Sequence, residues 1–89
     1  MGRWPTPTEA SAILVDTREP RRVFAAGPGG LFRSADAGRT WQAVALGPVG
    51  VGLVALAQDP RRLNNMFAGA ASGALYRSRD GGATWHLVQ

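Results

Sequence analysis

Apolar and polar positions alternate in short runs along the chain, and glycine, proline, aspartate and asparagine separate the runs. Alternation with a period of two predicts β-strands, and no stretch has the sustained period of 3.6 that is typical of a helix. We expect four strands in each half of the chain. They lie near 12–16, 22–26, 31–35 and 41–45 in the first half, and near 53–58, 65–69, 74–79 and 84–88 in the second.

The two halves of the chain repeat one another. The segment from Ser34 to Trp41 recurs between Ser78 and Trp85, 44 residues later, and the preceding strands match at an offset of 43, which places one inserted residue near Ser72. A period of about 40–50 residues with four antiparallel strands per repeat is typical of propeller blades. The sequence predicts an all-β fold with two four-stranded antiparallel blades. The expected organisation is an N-terminal segment at 1–11, blade 1 at 12–45, a link at 46–52 and blade 2 at 53–89.

The repeated pattern Ser-x-Asp-x-Gly-x-Thr-Trp resembles the Asp-box, or BNR repeat. This repeat occurs in sialidases, other glycoside hydrolases, sortilin-type receptors and the photosystem II assembly and stability factors. The whole repeat is similar to that of the assembly factors, with Leu-(Phe/Tyr)-Arg-Ser before the box and Asp59-Pro60 after the first strand of the second copy. The first copy departs from this pattern with Asp16-Thr17. The resemblance implies a β-propeller whose boxes are structural and lie on the outer rim.

The residue types of the box suit a tight hairpin turn. Aspartate accepts hydrogen bonds from turn N–H groups, glycine permits positive φ, and serine and threonine can bond across the hairpin. Both tryptophans are expected to be buried, and loss of Asp80 is expected to leave buried turn donors unpaired. The predicted structural residues are Ser34, Asp36, Gly38, Thr40, Trp41, Ser78, Asp80, Gly82, Thr84 and Trp85.

Catalytic and metal sites are not indicated by the remaining polar residues. Of the six acids, only Glu9 and Glu19 lie outside the repeated positions, so a carboxylate pair of the glycosidase kind is not evident. Tyr76 occupies the position of Phe32 in the other repeat, which favours an aromatic core residue over a nucleophile. His86 is the single histidine and the chain has no cysteine, so we expect no metal site, no cofactor and no enzymatic activity.

The positive charge of the chain comes from arginine alone. All ten basic residues are arginines, which with the abundant alanine favours a GC-rich bacterial genome, and with six acids the net charge is +4. The arginines are not interleaved with exposed aromatic residues, so nucleic acid is not an expected partner. The sequence has no apolar run long enough to span a membrane, so a membrane is not an expected partner either. With no signal peptide evident, a cytoplasmic location is the default expectation.

Two sets of arginines fall at related positions in the repeats. Arg33 and Arg77 are repeat mates, and they are candidates for binding an anion or a peptide. Alternatively, they stack on a neighbouring tryptophan or bond to a main-chain carbonyl. Arg21-Arg22 and Arg61-Arg62 are a second predicted set of mates, in the turn between the first two strands of each repeat.

Two blades are too few to close a propeller. The sequence therefore favours a homo-oligomeric ring of three or four copies, with a piece of a longer natural or engineered propeller as an equally open alternative. The expected function is a non-catalytic scaffold or protein-interaction module. Its expected partner is a further copy of the same chain, and a protein or a glycan is a candidate ligand. A multivalent, lectin-like carbohydrate-binding propeller is the alternative, and a fragment of a sialidase-like glycoside hydrolase is the third.

Overall fold

The chain folds into two sheets of four strands. The computed structural model describes residues 10–44 and 52–88, so most of the predicted N-terminal segment and of the link lies outside the described residues. Strands β1 to β4 form blade 1 and β5 to β8 form blade 2, each antiparallel with its strands in chain order. The predicted fold class is confirmed. The strands are β1 Ala12–Val15, β2 Val23–Gly27, β3 Gly30–Ser34, β4 Gln42–Val44, β5 Leu53–Gln58, β6 Met66–Ala70, β7 Leu75–Ser78 and β8 His86–Leu87.

The cross-strand register gives each blade two different faces. In blade 1, Phe24 lies opposite Leu14 and Arg33, and side chains opposite one another share a face. We call this the front face, and the other, which carries Ile13 and Val15, the back face. Blade 2 repeats the arrangement. Its front face carries Ala57, Phe67, Leu75 and Arg77, and its back face carries Leu56, Gln58, Met66, Ala68 and Tyr76.

The hydrophobic core lies between the blades, where the front of blade 1 packs on the back of blade 2. Phe24 meets Trp85 edge to face, with the ring centroids 6.2 Å apart and the planes at 71°. The core continues across both blades, so the two sheets share one apolar interior rather than two. Its buried members are Phe24, Ala26, Leu31, Leu53, Met66, Ala68, Ala70, Tyr76 and Trp85.

A polar contact joins the blades beside this core. The side-chain amide of Gln58, in blade 2, donates to Asp16 Oδ1 at 2.9 Å and accepts from the backbone N–H of Thr17 at 3.0 Å. Asp16 is only 1% exposed, and a buried carboxylate is tolerated only when it is hydrogen-bonded. Gln58 thus holds the end of β1 against blade 2, and we call this contact the glutamine clamp.

The inserted residue predicted near Ser72 is present in the loop between β6 and β7. Ala26 and Leu31 face each other across the turn of blade 1, whereas Gly69 and Leu75 occupy the same positions in blade 2. The second connection is therefore one residue longer. The extra residue lies in a surface turn, so it leaves the register of the sheet unchanged.

Candidate functional site: the two Asp-boxes and the groove between them

The first Asp-box is organised by Ser34 as much as by Asp36. The Ser34 hydroxyl donates to Asp36 Oδ1 at 2.7 Å and accepts from the N–H groups of Asp36 at 3.2 Å and Gly38 at 2.8 Å. The Asp36 carboxylate in turn accepts from the Thr40 N–H at 2.9 Å and from the Thr40 hydroxyl at 2.6 Å. The indole Nε1 of Trp41 donates to the Gly38 carbonyl at 3.0 Å and completes the turn.

The second box repeats these bonds one for one. Ser78 donates to Asp80 at 2.8 Å and accepts from the N–H groups of Asp80 and Gly82 at 3.4 and 2.8 Å. Asp80 accepts from the Thr84 N–H at 2.9 Å and hydroxyl at 2.5 Å, and Trp85 Nε1 donates to the Gly82 carbonyl at 2.9 Å. The structure therefore brings the box residues together in both copies.

Positive φ occurs at two adjacent positions in each box. The predicted positions, Gly38 and Gly82, have φ of 94° and 93°. The preceding residue also has positive φ, 63° at Ala37 and 74° at Gly81, and sequence reasoning missed it. The Gly81-Gly82 pair of the second box indicates this second position of positive φ, because glycine adopts that conformation readily. In the first box an alanine takes this conformation, which is strained for a residue with a Cβ.

Each box is attached to the turn between the first two strands of its own blade. The Ala37 N–H donates to the Arg21 carbonyl at 2.9 Å, and the Gly81 N–H donates to the Asn64 carbonyl at 2.9 Å. Arg21 and Asn64 are thus structural equivalents. The pairing of Arg21-Arg22 with Arg61-Arg62 predicted from the sequence is therefore wrong.

The residue of blade 1 that is structurally equivalent to Arg61 lies earlier in the turn between β1 and β2. The Arg18 N–H donates to Asp16 Oδ1 at 2.9 Å, and the Arg61 N–H donates to Asp59 Oδ1 at 2.8 Å. Arg61 consequently corresponds to Arg18. The two turns share their aspartate and their backbone path but not their pattern of arginines.

The box carboxylates are stabilised in their ionised form. The hydroxyl of Thr40, its N–H and the Ser34 hydroxyl hold the pKa of Asp36 well below its usual range. The hydroxyl and N–H of Thr84 lower the pKa of Asp80 to about 2. Hydrogen bonds to a carboxylate favour the charged form. These aspartates are therefore fixed acceptors at neutral pH and do not act as acids.

The two box tryptophans differ in burial, although both were expected to be buried. Trp85 is 6% exposed, whereas Trp41 has intermediate exposure. The difference arises from the neighbouring blade, because Phe24 lies against Trp85 and directly over Gly82. A Cβ added at Gly82 would overlap the Phe24 ring, whereas at Gly38 it would meet only Trp41 Cζ2, at 3.7 Å, among the described residues.

A groove lined by residues of both boxes lies between the two blades, and Arg33 lies along it. One part is a cavity of about 320 Å³, and an adjoining part of about 240 Å³ also includes Arg33. Within residues 10–44 and 52–88, no ion pair, hydrogen bond or cation–π contact is found for Arg33, so neither predicted structural role is observed. The first cavity is lined by Arg22, Phe24, Arg33, Ser34, Ala35, Thr40, Gln42, Asp80, Gly81 and Ala83.

Arg77 is not brought together with Arg33. It lies on the outer front face of blade 2 and lines an open depression of about 460 Å³ with Arg79 and His86. His86 is an exposed residue of β8, opposite Arg77 in the sheet. The two candidate arginines thus occupy equivalent places on separate blades, with Arg33 beside the junction of the blades and Arg77 on the front face of blade 2.

Four of the five acidic residues that the structure describes accept hydrogen bonds in turns. Asp16 and Asp59 accept turn N–H groups, and Asp36 and Asp80 belong to the boxes, while Glu19 is exposed. Glu9 lies outside the described residues. No group of three or more metal-ligating side chains occurs in the part of the chain that the structure describes, nor does any helix there have the length and apolar character needed to span a membrane.

Comparison with known proteins agrees with this geometry. The BNR/Asp-box repeat family matches residues 76–87, which include the second box. The chain carries BNR/Asp-box repeats folded as β-propeller blades. Among solved structures, an ancestral GH74 enzyme is similar to it with a TM-score of 0.81 and 18% sequence identity, over 89% of this chain. The BNR-repeat chain spans only 12% of the length of that enzyme, and no curated protein sequence matches it.

Proposed function

We propose that this BNR-repeat chain is a non-catalytic scaffold or protein-interaction module whose blades stack head to tail on those of further copies to close a propeller. The observation that carries the proposal is the junction between its own blades. There the front face of one blade packs on the back face of the next, so each blade has two different and complementary surfaces. Contacts between two different faces propagate, and they form rings when the rotation closes.

The complementary faces on the outside of the pair carry exposed apolar residues. On the back of blade 1, Ile13 and Val15 are 59% and 51% exposed, and on the front of blade 2 Val88 is 46% exposed. Exposed apolar side chains that cluster on one surface are typical of interaction sites. These surfaces correspond in position to the two that pack at the internal junction, and a second copy offers each of them its complement.

The number of copies follows from the number of blades. Closed propellers hold about four to eight blades, so two-blade copies are expected to form trimers of six blades or tetramers of eight.

The positions of the acidic residues support a non-catalytic role, because four of the five described acids accept hydrogen bonds in turns. The similarity to the GH74 enzyme supports the fold and does not bear on activity.

The mass of the protein in solution tests this proposal. We expect light scattering on a sizing column, over a dilution series, to give a stable mass of three or four chains. A monomer at every concentration, or a polydisperse mixture, would overturn assembly from two-blade copies and would make the chain part of a larger propeller.

Carbohydrate binding is the second candidate function, and the Arg33 groove favours it. A half-buried arginine in a groove between the two boxes suits a sugar that carries a carboxylate, because arginine binds carboxylates with two parallel hydrogen bonds. A ring of copies would repeat the groove and gain avidity. Titration with glucuronate and with glucose tests this role: binding of glucuronate alone, lost in Arg33→Gln and kept in Arg77→Gln, is expected. Equal loss in both variants would contradict a specific groove.

A further inference from the structure

We infer that the front face of blade 2 carries a separate binding site, which takes the phosphate group of a small phosphate monoester. Two arginines and a histidine line this site, namely Arg77, Arg79 and His86. The site is distinct from the Arg33 groove between the blades, so the inference goes beyond the function proposed above.

The three basic side chains lie around one depression. Arg77 and His86 are directly opposite each other on β7 and β8, and the side chains of such a pair are neighbours on the same face. Arg79 follows Arg77 by two residues and lines the same depression of about 460 Å³. Arg77 is half-buried, whereas Arg79 and His86 are exposed, so one partly covered guanidinium lies beside two accessible basic groups.

Four matched positions of the two repeats line the groove in blade 1 and the depression in blade 2, but with different chemistry. An arginine and a threonine are common to both. An alanine and a glutamine of blade 1 are replaced by an arginine and a histidine, so blade 2 has two more basic side chains at this place. The matched residues are Arg33 and Arg77, Ala35 and Arg79, Thr40 and Thr84, and Gln42 and His86.

The positive charge of the depression is not balanced by a neighbouring carboxylate. The Arg33 groove includes Asp80 from the other blade, whereas no acidic side chain lines the depression among the described residues. In the part of the chain that the structure describes, no salt bridge is found for Arg77 or Arg79. The site therefore has two positive charges that no described acid neutralises.

This arrangement suits a phosphate monoester better than a carboxylate. A phosphate monoester has a charge of about −1.5 to −2 at pH 7 and three acceptor oxygens, and two guanidiniums with an imidazole N–H can donate to all three. One arginine satisfies a carboxylate with two parallel bonds, which is the chemistry of the Arg33 groove. A depression of about 460 Å³ has the size of a small-molecule site, so it has room for the organic part of an ester.

The site is compatible with the stacking of a further copy on blade 2. At the internal junction, the matched positions of blade 1 border a cavity of about 320 Å³ although the two blades are packed. We expect an equivalent space to remain beside Arg77 when a second copy stacks on its blade.

Three ligands that share a hexose separate this site from the groove. Titration calorimetry with glucose 6-phosphate, glucuronate and glucose compares a phosphate, a carboxylate and a neutral hydroxyl on the same ring. We expect glucose 6-phosphate to bind, and Arg77→Gln to lower its affinity about tenfold. Arg62→Gln is the charge-matched control, because Arg62 is an exposed arginine of the same blade and does not line the depression.

The outcomes distinguish the site from the groove and from net charge. No binding of glucose 6-phosphate, an equal loss in Arg62→Gln, or a larger loss in Arg33→Gln than in Arg77→Gln would overturn the inference. Equal affinity for inorganic phosphate would overturn the assignment to an ester. Failure of glucuronate to bind, with glucose 6-phosphate bound, would overturn the carboxylate site of the groove and leave this site intact.

Converting the site to the residues of blade 1 is a second test that keeps Arg77. The double variant Arg79→Ala/His86→Gln gives blade 2 the four residues that blade 1 has at the matched positions, and both replaced side chains are exposed. We expect the thermal unfolding midpoint of the parent and a loss of affinity for glucose 6-phosphate of about tenfold. Unchanged affinity in this folded variant would overturn the site.

Discussion

Phe24 of blade 1 and Trp85 of blade 2 meet edge to face, with their ring centroids 6.2 Å apart. The pair joins a strand of the first repeat to the Asp-box of the second, and both side chains are almost fully buried, at 2% and 6% exposure. Edge-to-face aromatic pairs add to the stabilisation that burial alone provides. The box is therefore part of the packing between blades as well as a turn within one.

Loss of the Phe24 ring is expected to destabilise the pair of blades strongly. Phe24→Ala should lower the free energy of unfolding by about 3–5 kcal/mol, because it leaves a cavity over Gly82 and beside Trp85. Urea unfolding followed by tryptophan fluorescence measures this change. Phe67→Ala, studied at a dilution where copies do not associate, is the control and should cost less. Equal losses in the two variants would contradict the packing described above.

The buried serine of the second box is expected to matter more than its aspartate. Ser78 is fully buried and accepts the buried N–H of Gly82, so Ser78→Ala should cost about 1–3 kcal/mol of unfolding free energy. The bonds from Thr84 to Asp80 are exposed, so the one buried donor among these that loss of Asp80 leaves unpaired is the Ser78 hydroxyl. Thermal unfolding of Ser78→Ala and Asp80→Ala compares the two, and a larger loss in Asp80→Ala would disprove this order.

The strained alanine of the first box offers a stabilising substitution. Ala37 has φ of 63°, a conformation that costs a residue with a Cβ about 1–2 kcal/mol, against a glycine entropy cost of about 0.5–1 kcal/mol. Ala37→Gly should therefore raise the unfolding free energy by roughly 0.5–1 kcal/mol. Gly81→Ala, the reverse change in the second box, should lower it. A shift of both variants in the same direction would show that φ does not determine the outcome.

Acid is expected to destabilise both boxes. The pKa of Asp36 and that of Asp80 are lower in the folded chain than the value near 3.9 of an unfolded aspartate. Their stabilising effect is therefore complete above about pH 4 and is lost as pH falls toward the folded pKa, because the unfolded chain takes up protons first. Unfolding midpoints measured between pH 6 and pH 2 should fall mainly below pH 4, and the fall should be smaller in Asp36→Asn/Asp80→Asn. An equal fall in that variant would assign the effect to other groups.

Much of the fold follows from local spacing in the sequence. The bonds made by the serine and aspartate side chains of each box join residues only a few positions apart, as from Ser34 to Asp36 and from Asp36 to Thr40, so this part of the geometry follows from the order of residue types. The strands follow for the same reason, since alternation and turn residues are local signals. The positive φ at Ala37 was not predicted, because alanine, unlike glycine, does not indicate a left-handed backbone conformation.

The sequence by itself determined that there are two blades, each with an Asp-box, and which residues build each box. Only the tertiary structure decided which side chains are buried by the neighbouring blade. Trp41 and Trp85 end the same Asp-box pattern, and each donates its indole N–H to a glycine carbonyl, yet of the two it is Trp85 that Phe24 covers. The glutamine clamp likewise joins Gln58 to Asp16 across the two repeats. Burial depends on which surfaces meet, and residues far apart in the chain meet only after the blades have packed.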